Sequence, residues 1–119
     1  MEITYRTEYG ILEVHPTGSL EESDFQALTS EIKSIHQSQR ALKGILVYTK
    51  DFPGYETFSD LLAHGEFVKQ HRDKIAKIAL CTDSSVGKLL ELAGNNLTET
   101  KAKQFPYDQK DEAEKWLLA

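Results

Sequence analysis

Two apolar runs without alternation, Ile45-Leu46-Val47-Tyr48 and Ile78-Ala79-Leu80-Cys81, stand out along the chain. Continuous apolar runs suit strands covered on both faces, so the pattern predicts two central parallel strands, over Ala41 to Phe52 and Ile75 to Cys81. Ahead of them, Ile3 to Tyr9 and Ile11 to His15 alternate apolar and polar residues around Gly10, which predicts an antiparallel opening pair. From Gly18-Ser19 onward, Phe25, Leu28, Ile32 and Ile35 fall three, four and three apart. That spacing makes one apolar helix face, and the helix is expected to end near Gln37 to Arg40, where His36 and Arg40 suit the negative end of the dipole. Thr57 with Asp60 resembles a capping box for a second helix carrying Phe58, Leu61, Leu62 and Val68 inward. Ser84 or Ser85 caps a third, with Val86, Leu89, Leu90 and Ala93 inward, stopped by Gly94-Asn95-Asn96. Thr98 to Phe105 alternates weakly, as an edge strand does. Asp108 then caps a last helix with Ala113, Trp116 and Leu117 inward. The predicted order is β-β-α-β-α-β-α-β-α in one domain spanning 1–119.

Composition narrows the function classes. The 19 acids against 14 bases leave a net charge of −5, with no cluster of Lys and Arg, so nucleic acid is not an expected partner. The lone cysteine, Cys81, rules out an intramolecular disulfide and a cysteine-based metal site. No basic segment followed by an apolar stretch opens the chain, and no apolar run reaches membrane-spanning length, which leads to the expectation of a cytoplasmic protein without a transmembrane segment.

Candidate chemistry gathers at the two strand-to-helix corners, because ligands of open α/β sheets lie off the carboxyl ends of the strands. The first corner carries Asp51, Phe52, Tyr55 and Glu56 around Pro53-Gly54; the second carries Cys81, Asp83 and Ser84. Neighbouring corners would bring carboxylates, a phenol and a hydroxyl together, and paired carboxylates can do acid-base work when one is desolvated. The plainer alternative is that Asp51 bonds loop amides and Glu56 faces water. Cys81 sits where a nucleophile would be placed, yet no base neighbours it in the sequence and a core thiol is the commoner use. His64 and His71 share a helix face about 10 Å apart, too far to ligate one ion alone. His15 and His36 read as structural or solvated. No phosphate-binding glycine loop, nucleophile elbow or Cys-x-x-Cys is present, and neither a metal nor a cofactor is expected. The aromatics Phe52, Tyr55 and Phe58, with Phe105 and Tyr107 before the last helix, cap the core or line a contact surface. An exposed Phe67, off its helix's apolar stripe, would favour a homodimer or docking of a partner.

Several stretches together carry a family resemblance: Gly18-Ser19-Leu20 with Asp24-Phe25, Lys50-Asp51-Phe52-Pro53-Gly54-Tyr55-Glu56, Ile75-Ala76-Lys77-Ile78-Ala79, and Glu112-Ala113-Glu114-Lys115-Trp116-Leu117. In this order they resemble the SpoIIAA-like family, which shares the fold of anti-sigma-factor antagonists (STAS domains) and is likened to SEC14-type lipid-binding domains. The resemblance implies an α/β fold, a right-handed β-α superhelix on a mixed, mainly parallel sheet of four or five strands with about four helices. It implies no reaction. Antagonists of this fold carry a phosphorylated serine at the corner after the first central strand, where this chain has Asp51-Phe52-Pro53-Gly54-Tyr55. The Asp83-Ser84-Ser85 sequence comes one β-α unit later and reads as a helix cap. The expectation is a non-catalytic binding or regulatory module. Its occupant would be a protein partner or a small apolar or anionic ligand at Asp51, Phe52, Tyr55, Glu56, Cys81, Asp83 and Ser84. A switch phosphorylated at Ser84, or a small hydrolase or isomerase using the corner carboxylates or Cys81, are the alternatives.

Overall fold

The computed structural model describes residues 2–16, 22–50, 77–83 and 101–119. Within them, strands β1 (Glu2–Arg6), β2 (Ile11–His15), β3 (Gly44–Tyr48), β4 (Lys77–Cys81) and β5 (Lys101–Phe105) form one sheet in the order β1-β2-β3-β4-β5. β1 runs antiparallel to β2, and every later pairing is parallel. The helices are α1 (Glu22–Gln37) and α2 (Lys110–Leu118). This is the mixed, mainly parallel α/β sheet that the apolar runs imply. The expected helices from Thr57 and from Ser84 or Ser85 lie outside the described residues, as does the start of α1 at Gly18-Ser19.

Strand alternation assigns the core to two layers. Leu12, Val14, Ile45, Val47 and Leu80 point to one face and meet Leu28, Ile32 and Ile35 of α1. Ile11, Leu46, Ala79, Cys81 and Phe105 point to the other and meet Ala113 and Leu117 of α2. Gly44 makes the second contact close: a Cβ there would fall 2.6 Å from Leu117 Cδ2 and 2.9 Å from the Lys77 carbonyl oxygen. Lys77 Nζ closes the far end of α2 by donating to the Trp116 carbonyl at 2.9 Å, where a cation complements the helix dipole.

Three boundaries differ from the sequence expectation, and the end of α1 falls where it was expected. β1 stops at Arg6 because residues 7–10 turn the chain, with Gly10 at φ +70° and its N–H donating to the Arg6 carbonyl. β3 begins at Gly44, not Ala41; Lys43 N–H instead donates to the Gly10 carbonyl at 2.8 Å, tying the two loops. α1 ends at Gln37, within the expected Gln37 to Arg40, and closes in a Schellman motif with no glycine: Arg40 N–H reaches the Ile35 carbonyl, Gln39 N–H the His36 carbonyl, and Gln39 takes φ 56°. Asp108 does not cap α2; Gln109 occupies that position and makes no side-chain cap bond.

Candidate functional site

The carboxyl ends of β3, β4 and β5 are stitched together just beyond the sheet. The Lys50 carbonyl accepts two bonds from the neighbouring corner, from Thr82 Oγ1 at 3.0 Å and from Asp83 N–H at 3.1 Å. Thr82 N–H donates to the Phe105 carbonyl, and Gln104 Nε2 donates to the Thr82 carbonyl. The Asp83 carboxylate accepts the Tyr107 N–H at 3.0 Å. These bonds make the β3 and β4 corners neighbours as far as Lys50 and Asp83. Of the residues singled out from sequence, Cys81 and Asp83 are thus joined to this edge. Asp51, Phe52, Tyr55, Glu56 and Ser84 lie outside the described residues.

Cys81 is fully buried, and its thiol donates to the Pro106 carbonyl at 3.1 Å. Burial, together with the neighbouring Asp83 and Asp108 charges, pushes its pKa up to about 11, against the pull of Lys110. A neutral, inward, hydrogen-bonded thiol is a poor nucleophile near pH 7. Its physical role is to pin the β5–α2 loop to the sheet.

Beside this edge stands a cluster that the sequence reading missed. Glu13 lies on the α2-facing side of β2 and is 8% exposed. His15 Nε2 is 2.6 Å from its Oε2, Lys110 Nζ is 3.0 Å from its Oε1, and Arg6 stands at 3.6 Å while also pairing with Glu114. The Lys110 contact acts as an ion pair more than as a directed hydrogen bond. Burial alone would raise the Glu13 pKa; the hydrogen bond from His15 and the contact with Lys110 outweigh it, and the net shift is downward. An ionised carboxylate only accepts, so the proton of the short contact belongs to His15 Nε2.

Aromatic rings cover the cluster. Tyr48 and Tyr107 stack with centroids 4.6 Å apart, His15 meets Tyr48 edge-on at 5.6 Å, and Lys110 Nζ sits 4.8 Å from the Tyr48 centroid. A hydrogen bond with Tyr107 and then burial push the Tyr48 pKa up to about 12, so its hydroxyl stays neutral. The resulting surface has two half-buried aromatic rings with an imidazole and an ammonium at its rim. It suits apolar or aromatic contact with an anionic group alongside. Tyr107 was recognised in sequence only as an aromatic before the last helix. The signal that would have found the rest is Glu13, a charge inside the alternating strand Ile11–His15 whose pattern assigns it to the same side as Ile11.

Among the described residues no group of three or more His, Cys, Asp or Glu side chains is arranged to hold a metal ion. No helix among them is long and apolar enough to cross a membrane. No match was found among curated proteins or among solved structures. A family model, described as SpoIIAA-like, matches residues 11–118. That span runs from the first residue of β2 to the last of α2, and the chain belongs to the SpoIIAA-like family.

Proposed function

We propose that this chain is a non-catalytic binding or regulatory module of the STAS type. It takes up a protein partner or a small apolar or anionic ligand over the carboxyl ends of β3 and β4. The observation that carries this reading is the stacked Tyr48–Tyr107 pair, rimmed by His15 and Lys110, beside a corner whose polar atoms already bond one another. Such a surface offers contact area and charge, while the one thiol is neutral and turned inward. From sequence order alone the proposed site also takes in Asp51, Phe52, Tyr55, Glu56 and Ser84, which follow β3 and β4 in the chain, together with Cys81 and Asp83. The alternatives, a phosphoswitch at Ser84 and a small hydrolase or isomerase using the corner carboxylates or Cys81, turn in part on residues outside the described ones.

Native mass spectrometry of the protein purified gently from its own host tests the reading. A stoichiometric adduct or partner is expected, and the Tyr55→Ala/Asp83→Ala double variant should lose it while keeping the wild-type circular dichroism. Unchanged occupancy in a folded double variant would move the site elsewhere.

A further inference from the structure

Among the described residues the two edge strands of the sheet are built differently, and only one of them carries lysines. β5 carries Lys101 and Lys103. Antiparallel self-pairing centred on Ala102 would set Lys101 against Lys103 of a second copy, and centring on Lys103 would set that lysine against itself. Lysines on an edge strand are a common way of refusing a second sheet. β1, at the opposite edge, reads Glu2-Ile3-Thr4-Tyr5-Arg6 and contains neither lysine nor proline. Its side chains divide cleanly. Ile3 and Tyr5 are half-buried against the α1-side core, and Glu2, Thr4 and Arg6 share the side of their β2 partners His15, Glu13 and Ile11.

We infer that β1 is a homodimer edge, pairing antiparallel with β1 of a second copy about a two-fold axis at Thr4. In that register Glu2 faces Arg6 of the second copy at both ends, Ile3 faces Tyr5, and Thr4 faces Thr4. Opposite charges meet on the α2 side and apolar side chains meet on the α1 side, which is the pairing that stabilises antiparallel neighbours. Sliding by one symmetric step spoils it: centring on Ile3 gives Arg6 no acid from the second copy beyond its own Glu114 and Glu13, and centring on Tyr5 brings Glu2 toward Glu8 of the other copy. Pairing would continue the five strands of each copy into one sheet and complete the cover over Ile3 and Tyr5. Tyr5 is already fixed for this, its hydroxyl donating to the Ala41 carbonyl at 2.5 Å and its ring lying under Arg40. The inference rests on the strand edge and not on the corner at Lys50 and Asp83, where no residue of β1 lies; β1 touches the proposed binding surface through Arg6, which stands 3.6 Å from Glu13, and through Glu2, the register partner of His15.

The test uses the full chain. Sedimentation should show wild type as a concentration-dependent dimer, with Glu2→Arg weakening it about tenfold or more by setting like charges opposite Arg6. Directly opposed strand residues have Cα atoms about 4.5–5.5 Å apart, within disulfide range, so mild oxidation should link Thr4→Cys to itself and leave Glu2→Cys alone unlinked. The buried Cys81 does not compete. A monomer at every concentration with no selective linking of Thr4→Cys overturns the inference. So does a dimer that Glu2→Arg leaves intact and Thr4→Cys fails to lock.

Discussion

The two faces of the sheet solve different problems with the same alternating strands. Toward α1, Leu12, Val14, Ile45, Val47 and Leu80 meet Leu28, Ile32 and Ile35 in a layer of apolar side chains. Toward α2, Ile11, Leu46, Ala79 and Cys81 build a smaller apolar patch. The same side of β2 carries Glu13, held by His15, Lys110 and Arg6. The contrast implies that stability is concentrated on the α1 side, and that the α2 side gives up part of its apolar cover to hold a charged and aromatic surface near the strand ends. Buried ion pairs return little net stability, because desolvation offsets most of their attraction. A cluster of this kind near the carboxyl ends of the strands therefore adds little to folding, in keeping with the binding role proposed for it.

The sharpest way to break the comparison is to empty each face in turn. Ile32→Ala, at a fully buried position on α1, is expected to cost about 3 kcal/mol in urea unfolding, transfer and cavity terms together. On the other face Gly44→Ala drives a methyl group into Leu117 and the Lys77 carbonyl. Overpacking of that sort costs about 2 kcal/mol. Combining Gly44→Ala with Leu117→Ala should recover part of the sum of the two single losses, since the variants share one contact. If Gly44→Ala proved the costlier of the two single variants, the α1 face would not be the dominant store of stability.

Glu13→Gln probes the charged part of the α2 side. Removing one charge leaves Lys110 and Arg6 without their shared partner, and about 1 kcal/mol of lost stability at pH 7 is expected. The pH dependence carries the sharper signature. The Glu13 pKa is lowered in the fold, so its contribution is present above the unfolded value of 4.5 and is lost as pH falls through the folded value. Wild type should lose stability more steeply than Glu13→Gln through that acid range. Parallel pH profiles would mean that the carboxylate gains nothing from its partners. Cys81 gives the opposite limb: its thiol pKa is raised, so stability is complete below the ordinary 9.0 and declines as pH climbs toward about 11. At neutral pH a thiol reagent should label it slowly, at a rate that follows global unfolding in urea. Rapid labelling without denaturant would reopen Cys81 as a nucleophile.

How much of this was legible beforehand follows from the range of the interactions. β3 and β4 declared themselves because a strand covered on both faces needs an unbroken apolar run, and α1 because Leu28, Ile32 and Ile35 keep one face. The family resemblance rested on the same local stretches. Glu13 could not be weighed in this way. A carboxylate within an alternating strand ordinarily faces water, and its burial depends on Lys110 and His15, one from the far end of the chain and one two residues away. Cys81 was placed correctly at the end of β4, while its inertness depends on the carbonyl oxygens of Pro106 and Tyr107. The position of the α1 end was legible but its glycine-free geometry was not, because the left-handed conformation at Gln39 is imposed by the turn into β3 and not by the residue itself.

That last position gives the smallest expected effect. Gln39 holds φ 56°, a conformation costly for a side chain with Cβ and free for glycine. The Schellman bonds to the Ile35 and His36 carbonyls involve only backbone, so Gln39→Gly keeps them and relieves the strain. A gain of about 0.5 kcal/mol is expected, the relief being partly offset by the greater freedom glycine has when unfolded. Where the gain appears decides how the α1 face works. A rise in the global urea midpoint would mean that α1 opens only with the whole sheet, as a single cooperative layer should. Slower amide exchange in α1 with an unchanged midpoint would mean that the helix frays as its own unit, and the apolar face would then be less of a fixed foundation than its packing suggests.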